Sequence, residues 1–375
     1  MAPSNNAEQE PMLLCLIGDE EVADRVPTAL RYLLIGLIDE QIDAVLAAPS
    51  DGRCRTLISG PIEVLAYSEP KWPLAGWSRK NAVRDLVAKL SAMRKDGPTF
   101  VHALSPHSAK TAAAIAQELD ADLLLTIGGR DDLAKDATAR ALAERASVLI
   151  APSQHIAETV RAAIRSQRSV EVIRYGVTPG STPAAFRGEG RSPSLVYAGP
   201  LAERGGIETL LVAFKRVSKD HPDLQVFLVG KGPGERPLRH LSTSLGLSQR
   251  VTFTGRLDYL RAAMESADIY CLPEAGGSFR EEPLHAMAAG MAIIAPEESV
   301  YDGLEAGRTA AVYEAGNAEQ LAERIRDLLE HREAAKAMGA ACQALARSQN
   351  SVAKMVAGHV RAYRWLMNRD RTFAI

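Results

Sequence analysis

Pro273–Gly290 reads PEAGGSFREEPLHAMAAG, and its surroundings decide how it folds. Ahead of it stands Ala267–Leu272 (ADIYCL), an apolar run of the kind that makes a buried strand, and inside it Pro283–Ala289 opens as a helix with proline in the first turn. Strand, glycine-bearing loop and helix start in succession is the unit from which α/β folds build ligand sites. Unpaired backbone N–H groups and the dipole at such a helix start suit a phosphate. The alternative is that Gly276 and Gly277 only make a turn.

Outward from this stretch the chain repeats the same alternation. Met12–Ile17, Ile42–Ala47, Arg55–Ile58, Ile62–Tyr67, Phe100–Leu104, Leu123–Ile127, Val148–Ala151 and Val170–Ile173 read as strands, with helices at Pro27–Leu37, His107–Leu119, Leu133–Ala146 and Ala157–Ile164. A glycine-, proline- and serine-bearing break, Val177–Pro193, has neither period and is the expected domain boundary. Beyond it the alternation restarts, with strands at Leu195–Ala198, Leu224–Val229, Val251–Thr254, Ala267–Leu272 and Ala292–Ala295 and helices at Ile207–Ser218, Arg236–Leu245 and Asp258–Glu265. The expected class is α/β, two doubly wound parallel-sheet domains with a cleft between them. Domain bounds fall at 12–176, a linker at 177–193, 194–349, and a C-terminal helix at 350–371 that is expected to cross back to the first domain.

Composition narrows the function. The 375 residues suit two domains at roughly 150 each, and a net charge of −2 gives no reason to expect nucleic acid as a partner. Cys15, Cys54, Cys271 and Cys342 lie far apart, without metal-ligand spacing and with no histidine cluster beside them, so buried free thiols in a reducing, cytoplasmic setting are expected, with no metal site. MAPSNNAEQEP lacks the basic start and apolar core of a signal peptide, and no run reaches the roughly 20 apolar residues of a spanning helix.

Three loops of the second domain carry glycine at a strand end: Tyr197-Ala198-Gly199-Pro200, Val229-Gly230-Lys231-Gly232-Pro233, and the opening stretch. Strands of one parallel sheet end on one edge, so Arg204, Lys231 and Arg280 are expected to ring a site for a phosphorylated ligand. Singly, each is better explained as a solvated surface cation.

The motifs now resemble a known family. LVYAGPL, HPDLQVFLVGKGPGERPL, LGLSQRVTFTGRL, SADIYCLPE, PLHAMAAGMAIIA and LEAGRTAAVYEAGNAEQLAERI in the second half, with FVHALSPHSA, ERASVLIAPSQHIAETV and VIRYGV in the first, are similar to group 1 (family 4) retaining glycosyltransferases of the GT-B fold, across nearly the whole chain and in order. The resemblance implies Rossmann-like domains and transfer of a sugar from a nucleotide-sugar to a glycan, lipid-linked or small-molecule acceptor with retention, without cofactor or metal. It also implies a donor site in the second domain and an acceptor site in the first. Donor-side residues by the resemblance are Gly199, Arg204, Lys231, Ser278, Phe279, Arg280, Glu281 and His285; acceptor-side residues are Gly18 and His107.

The chain departs from the family where the chemistry is done. Pro273, Phe279, Leu284, Ala286, Met287 and Ala288 fix the register, and it sets Gly277 and His285 where the family has glutamates. Glycine has no carboxylate, and neutral imidazole can serve only the ribose hydroxyls. Glu274 and Glu282 share the glutamates' spacing but stand three residues out of register with the helix. Pro200 replaces an arginine and Arg204 precedes a lysine position by one; Gly128 replaces an acceptor-side histidine. His107 sits on a strand-to-helix turn and reads equally as a cleft residue or a capping histidine. No catalytic residue is assigned. Two functions remain: a divergent transferase, or a non-catalytic GT-B protein that binds a sugar nucleotide or glycan and partners a sister transferase.

Lys71–Lys95 places Trp72 and Trp77 among Arg79, Lys80, Arg84, Lys89, Arg94 and Lys95, with Val83, Leu86, Val87 and Leu90 as an apolar stripe. This either touches an anionic membrane surface at the inner face or packs its stripe on the sheet.

Overall fold

A computed structural model describes residues 11–57, 61–68, 75–94, 97–165, 169–188, 190–202, 205–257, 259–273 and 277–369, with backbone alone over 75–79. Two compact units divide the chain: Met1–Gly176 with Val352–Ile375, and Val177–Ser351.

Unit 1 alternates strands and helices in chain order: β1 (Leu13–Ile17), α1 (Glu20–Arg25), α2 (Pro27–Asp39), β2 (Asp43–Pro49), β3 (Glu63–Tyr67), α3 (Ala75–Met93), β4 (Thr99–Ala103), α4 (Ala109–Leu119), β5 (Asp122–Thr126), α5 (Asp132–Lys135), α6 (Ala137–Ala143), β6 (Val148–Ala151), α7 (Gln154–Ala163) and β7 (Val170–Val172). Its seven strands are parallel in the order β3-β2-β1-β4-β5-β6-β7. Every residue of β1 is buried, as a strand covered on both faces requires. The chain leaves β1 toward β2 on one side and β4 toward β5 on the other, so the switch point lies between the C-terminal ends of β1 and β4.

Two readings of unit 1 are corrected. The strand expected at Arg55–Ile58 is a 3-10 turn over Arg53–Leu57, with Ile58 outside the described residues. Arg53 pairs there with Glu20 at 3.0 Å and Asp24 at 2.6 Å, and Cys54 packs beneath Gly18. The helix expected at Leu133–Ala146 is broken into α5 and α6. Asp136 between them is extended, and its carboxylate caps α6 by accepting from the amides of Thr138 and Ala139.

Unit 2 runs β8 (Ser194–Ala198), α8 (Ile207–Val217), β9 (Gln225–Val229), α9 (Glu235–Ser244), β10 (Val251–Gly255), α10 (Leu260–Glu265), β11 (Ile269–Cys271), α11 (Glu282–Ala289), β12 (Ala292–Pro296), β13 (Ala311–Tyr313), α12 (Ala318–Glu330) and α13 (Arg332–Gln349). Six parallel strands follow the order β10-β9-β8-β11-β12-β13, which puts the switch point between β8 and β11. The glycine, proline and serine stretch expected to be a linker is part of this unit. Asp268, 1% exposed, accepts from the amides of Phe186 and Ser194 at 2.9 Å and from the Ser194 hydroxyl at 3.0 Å, and it also pairs with Arg191. One buried, fully used carboxylate thus fastens the stretch to the sheet.

The last helix, α14 (Val352–Arg369), rejoins unit 1 and packs on α2. Its buried stripe, Met355, Val356, Val360, Tyr363 and Leu366, completes that unit's core. Gly36 makes the close approach possible, since a Cβ there would lie 2.3 Å from a Val356 methyl. At the centre the Nδ1 of His102 hydrogen-bonds the Tyr363 hydroxyl at 2.9 Å and its Nε2 hydrogen-bonds the Thr126 hydroxyl at 2.8 Å; the His359 ring lies 5.9 Å away. Burial holds both imidazoles below their ordinary pKa, His359 at about 4.

Candidate functional site

At the switch point of unit 2, the loops after β8, β9 and β10 approach each other backbone to backbone. The Gly199 amide donates to the Val229 carbonyl at 3.0 Å, the Leu201 amide to the Lys231 carbonyl at 3.1 Å, and the Gly230 amide to the Gly255 carbonyl at 2.9 Å. Gly230, at φ +146°, is required there: a Cβ would stand 1.8 Å from the Gly199 carbonyl oxygen. Cβ atoms on Gly232 and Gly234 would meet the carbonyls of Leu201 and Ala202 at 2.3 and 2.4 Å. Tyrosines brace the same corner, Tyr270 donating to the Ala198 carbonyl at 3.1 Å and Tyr197 to the Pro200 carbonyl at 2.8 Å. Lys231 is exposed on this edge; Arg204 lies outside the described residues.

Three helices begin on this edge, α8, α9 and α11, and in none does the cap residue's side chain bond the first amides. Gly206 and Gly234 stand at the caps of the first two and have no side chain to offer. Neither cap residue therefore offers a side-chain acceptor to its helix's first N–H groups.

The opening stretch supplies the far wall of the edge. Glu274 and Gly276 lie outside the described residues, Gly277 is exposed and Ser278 half-buried. Phe279 is buried with its ring 4.6 Å from that of Tyr301. The Tyr301 hydroxyl accepts from the Arg280 amide and donates to the Arg280 carbonyl, both at 3.0 Å, which fixes the approach to α11. The Arg280 guanidinium meets Glu282 Oε1 at 3.1 Å. Burial raises the Glu282 pKa against the opposing pull of Arg280, and Glu282 Oε2 is buried with no partner among the described residues. His285 and Glu281 are both under a tenth exposed, with Nε2 3.5 Å from Glu281 Oε1. The structure thus joins Gly199 with Lys231, and Phe279, Arg280, Glu281 and His285 with one another.

Unit 1's switch point is built from side chains. Gly18 packs at the end of β1, where a Cβ would meet Cys54 Sγ at 2.5 Å. Asp19, 2% exposed, caps α1 by accepting from the Val22 amide at 3.0 Å, and it also accepts from the Ser105 hydroxyl. Ser105 Oγ in turn accepts from the amides of His107 and Ser108 at 3.1 and 3.3 Å. His107 is exposed above this network. Beside it, Arg25 meets Glu21 at 2.5 Å and Asp132 at 3.9 Å. Burial raises the pKa of both carboxyls, Arg25 opposing it, and the amides of Gly129 and Gly128 donate to Asp132. Glu21, Arg25, Asp132 and Ser105 were not singled out from the sequence. Gly18-Asp19 directly after an apolar strand was the available signal, since aspartate there caps the next helix.

The described residues include no helix long and apolar enough to cross a membrane. Residues 192–331 match the model of the family described as Glycosyl transferases group 1. The chain is 29% identical over 225 residues to a GDP-mannose-dependent monoacylated alpha-(1-6)-phosphatidylinositol monomannoside mannosyltransferase of Corynebacterium glutamicum, covering 55% of this chain and 58% of that protein. It is 36% identical over 130 residues to a phosphatidyl-myo-inositol mannosyltransferase of Mycobacterium leprae, 34% of each chain. The chain thus spans from about a third to just over half the length of these curated relatives. Among solved structures, Anabaena HepE in complex with UDP and glucose superposes with a TM-score of 0.80 at 18% identity, over 94% of this chain and 99% of that one. The sucrose-phosphate synthase of Thermosynechococcus elongatus gives 0.79 at 20%, over 95% and 99%.

Proposed function

From a chain of GT-B fold whose second unit is a group 1 glycosyltransferase domain, we propose that it transfers a sugar from a nucleotide-sugar to a lipid-linked or other glycan acceptor, with retention and without a metal. The observation that carries this is the pair of glycine-capped helix starts, α8 and α9, at one glycine-lined edge. Uncapped N–H groups and the helix dipoles favour a diphosphate, and Lys231 adds a cation from the same edge. His285, with Glu281 beside Nε2, offers Nδ1 to a ribose hydroxyl. Arg280 is engaged with Glu282 and reaches a phosphate only by exchanging that partner. Arg204, outside the described residues, is assigned to the diphosphate on the resemblance alone. On the acceptor side, Glu21, Arg25, Asp132 and His107 suit the hydroxyls of a sugar or inositol. Relatives named as phosphatidylinositol mannosyltransferases favour a lipid-linked acceptor and a GDP-mannose donor.

Isothermal titration with GDP-mannose, UDP-glucose and their parent nucleotides tests the donor site. Binding is expected, and Lys231→Ala should weaken it about tenfold or more through loss of a charged hydrogen bond. A chain that binds none of them has no donor site. The exposed Gly277, where the family has a carboxylate, favours a second reading, a binding partner of an active transferase. Binding without hydrolysis or transfer would select it.

Most of the apolar stripe expected at 71–95 packs inward, with Val87 half-buried. Val83, Leu86 and Leu90 are buried in unit 1; Lys71, Trp72 and Lys95 lie outside the described residues, as do the side chains of Trp77 and Arg79.

A further inference from the structure

The face of α14 that turns away from the core combines basic side chains with an exposed tryptophan. Lys354, Ala357, Arg361, Arg364, Trp365 and Asn368 are exposed and recur at helical spacing, forming one stripe. The helix carries four basic residues, Lys354, Arg361, Arg364 and Arg369, and no acidic one. Trp365 is half exposed, with the Arg369 guanidinium 6.0 Å from its ring centre. A groove of about 370 Å³ runs along the stripe, closed at one side by Glu40, which holds Arg364 at 3.4 Å. On α2, against which α14 packs, Ile35 and Ile38 are 50% and 37% exposed. Of the five large apolar side chains exposed among the described residues, three therefore lie on these two helices.

We propose that the outer face of α2 and α14 docks on an anionic lipid surface. Tryptophan and isoleucine partition into the boundary between headgroups and acyl chains, while arginines keep their guanidinium groups at headgroup phosphates and lay their stems along the apolar boundary. Charge decides against a second copy as the occupant: a two-fold pairing of this face would set one α14 stripe of cations against another. The surface differs from the one expected at 71–95, and it deepens the reading above by bringing a lipid-linked acceptor to the protein. Docking needs no donor, so its failure leaves the nucleotide titration untouched.

Co-sedimentation of the full chain with phosphatidylcholine vesicles, with and without phosphatidylglycerol, tests it. Binding is expected only to the anionic vesicles and should fall as salt is raised. Arg361→Gln with Arg364→Gln should weaken it about thirtyfold, since each basic residue at such a surface contributes about fivefold. Trp365→Ala should weaken it independently of salt. Lys80→Gln with Arg84→Gln, on α3, should leave it unchanged. No binding to anionic vesicles overturns the proposal, and so does binding that survives the α14 changes or falls equally with the α3 pair. A dimer in sedimentation velocity that Trp365→Ala dissociates would assign the face to a second copy instead. Should Trp365→Ala lose its near-ultraviolet circular dichroism, the two exposed arginines decide alone.

Discussion

The two units begin the helix after their first switch-point strand in different ways. Each has a switch point in a parallel sheet, β1 beside β4 in unit 1 and β8 beside β11 in unit 2. In unit 1 Asp19 caps α1, the helix that follows β1, and Asp136 and Ser153 cap α6 and α7, while α2, α4 and α5 have no side-chain cap. In unit 2 α8, the helix that follows β8, begins at Gly206 with no side-chain cap, as α9 does at Gly234 and α11 at Glu281, while Asn317 caps α12. A filled start is stable and inert toward anions; an open one costs stability and leaves donors for a ligand. The fold alone assigns neither role, and the difference lies in a few residues at strand ends.

The sharpest way to break the contrast is to put a side chain into the glycine edge. Gly230→Ala must move either its own loop or the Gly199 loop, because its Cβ would stand 1.8 Å from a backbone oxygen at a φ that disfavours any Cβ. Strain and overpacking together should cost about 4 kcal/mol. Denaturant unfolding should show the loss in unit 2's transition, together with loss of nucleotide binding. Near-normal stability would mean the backbone contact does not hold the edge.

Unit 1 answers to acid instead. His102 and His359 are buried neutral, with pKa values held below the unfolded value of about 6.5. The unfolded chain therefore binds more protons than the native one as pH falls, so stability is present above about 6.5 and is lost on going down toward about 4. His359 alone accounts for about 3 kcal/mol of that loss. Stability measured against pH should show the slope, and His359→Gln should flatten it. An unchanged slope would place the acid sensitivity elsewhere.

How far the sequence disclosed this follows the same divide. Backbone-built features were legible: alternating apolar runs located both sheets, and glycines at three strand ends marked the unit 2 edge, because glycine at a strand end has few other uses. Side-chain networks were not. The register that sets His285 at a glutamate position could not show Glu281 within 3.5 Å of it, since residues four apart meet only once the helix exists. Nor could Arg25 and Asp132, more than a hundred residues apart in sequence, be paired without the fold. Asp136 was read as helix interior because the surrounding apolar period outweighed one capping residue.

A smaller effect separates capping from anion binding. Asp19→Ala removes the cap of α1 and leaves the buried Ser105 hydroxyl without its carboxylate, at about 2 kcal/mol. Thermal unfolding should register it, while donor affinity in unit 2 stays as it was. A fall in donor affinity of similar size would mean that the two edges are coupled.

The smallest effect is the most specific. Arg25→Met keeps most of the stem but leaves Glu21 and Asp132 without their shared cation, side chains that are about a fifth and an eighth exposed. Both carboxyls already sit above their ordinary pKa because they are buried, and Arg25 is the largest influence opposing that rise. Its removal should raise them further. A raised carboxyl pKa means that the native state holds its proton longer than the unfolded chain, so stability falls as pH climbs through the native value. The variant should thus be about 1 kcal/mol less stable than the parent at neutral pH, and the gap should close in acid as both carboxyls protonate. If the deficit is the same at every pH, Arg25 acts through the packing of its stem, and the charged cluster at the edge of unit 1 is not held together by its charges.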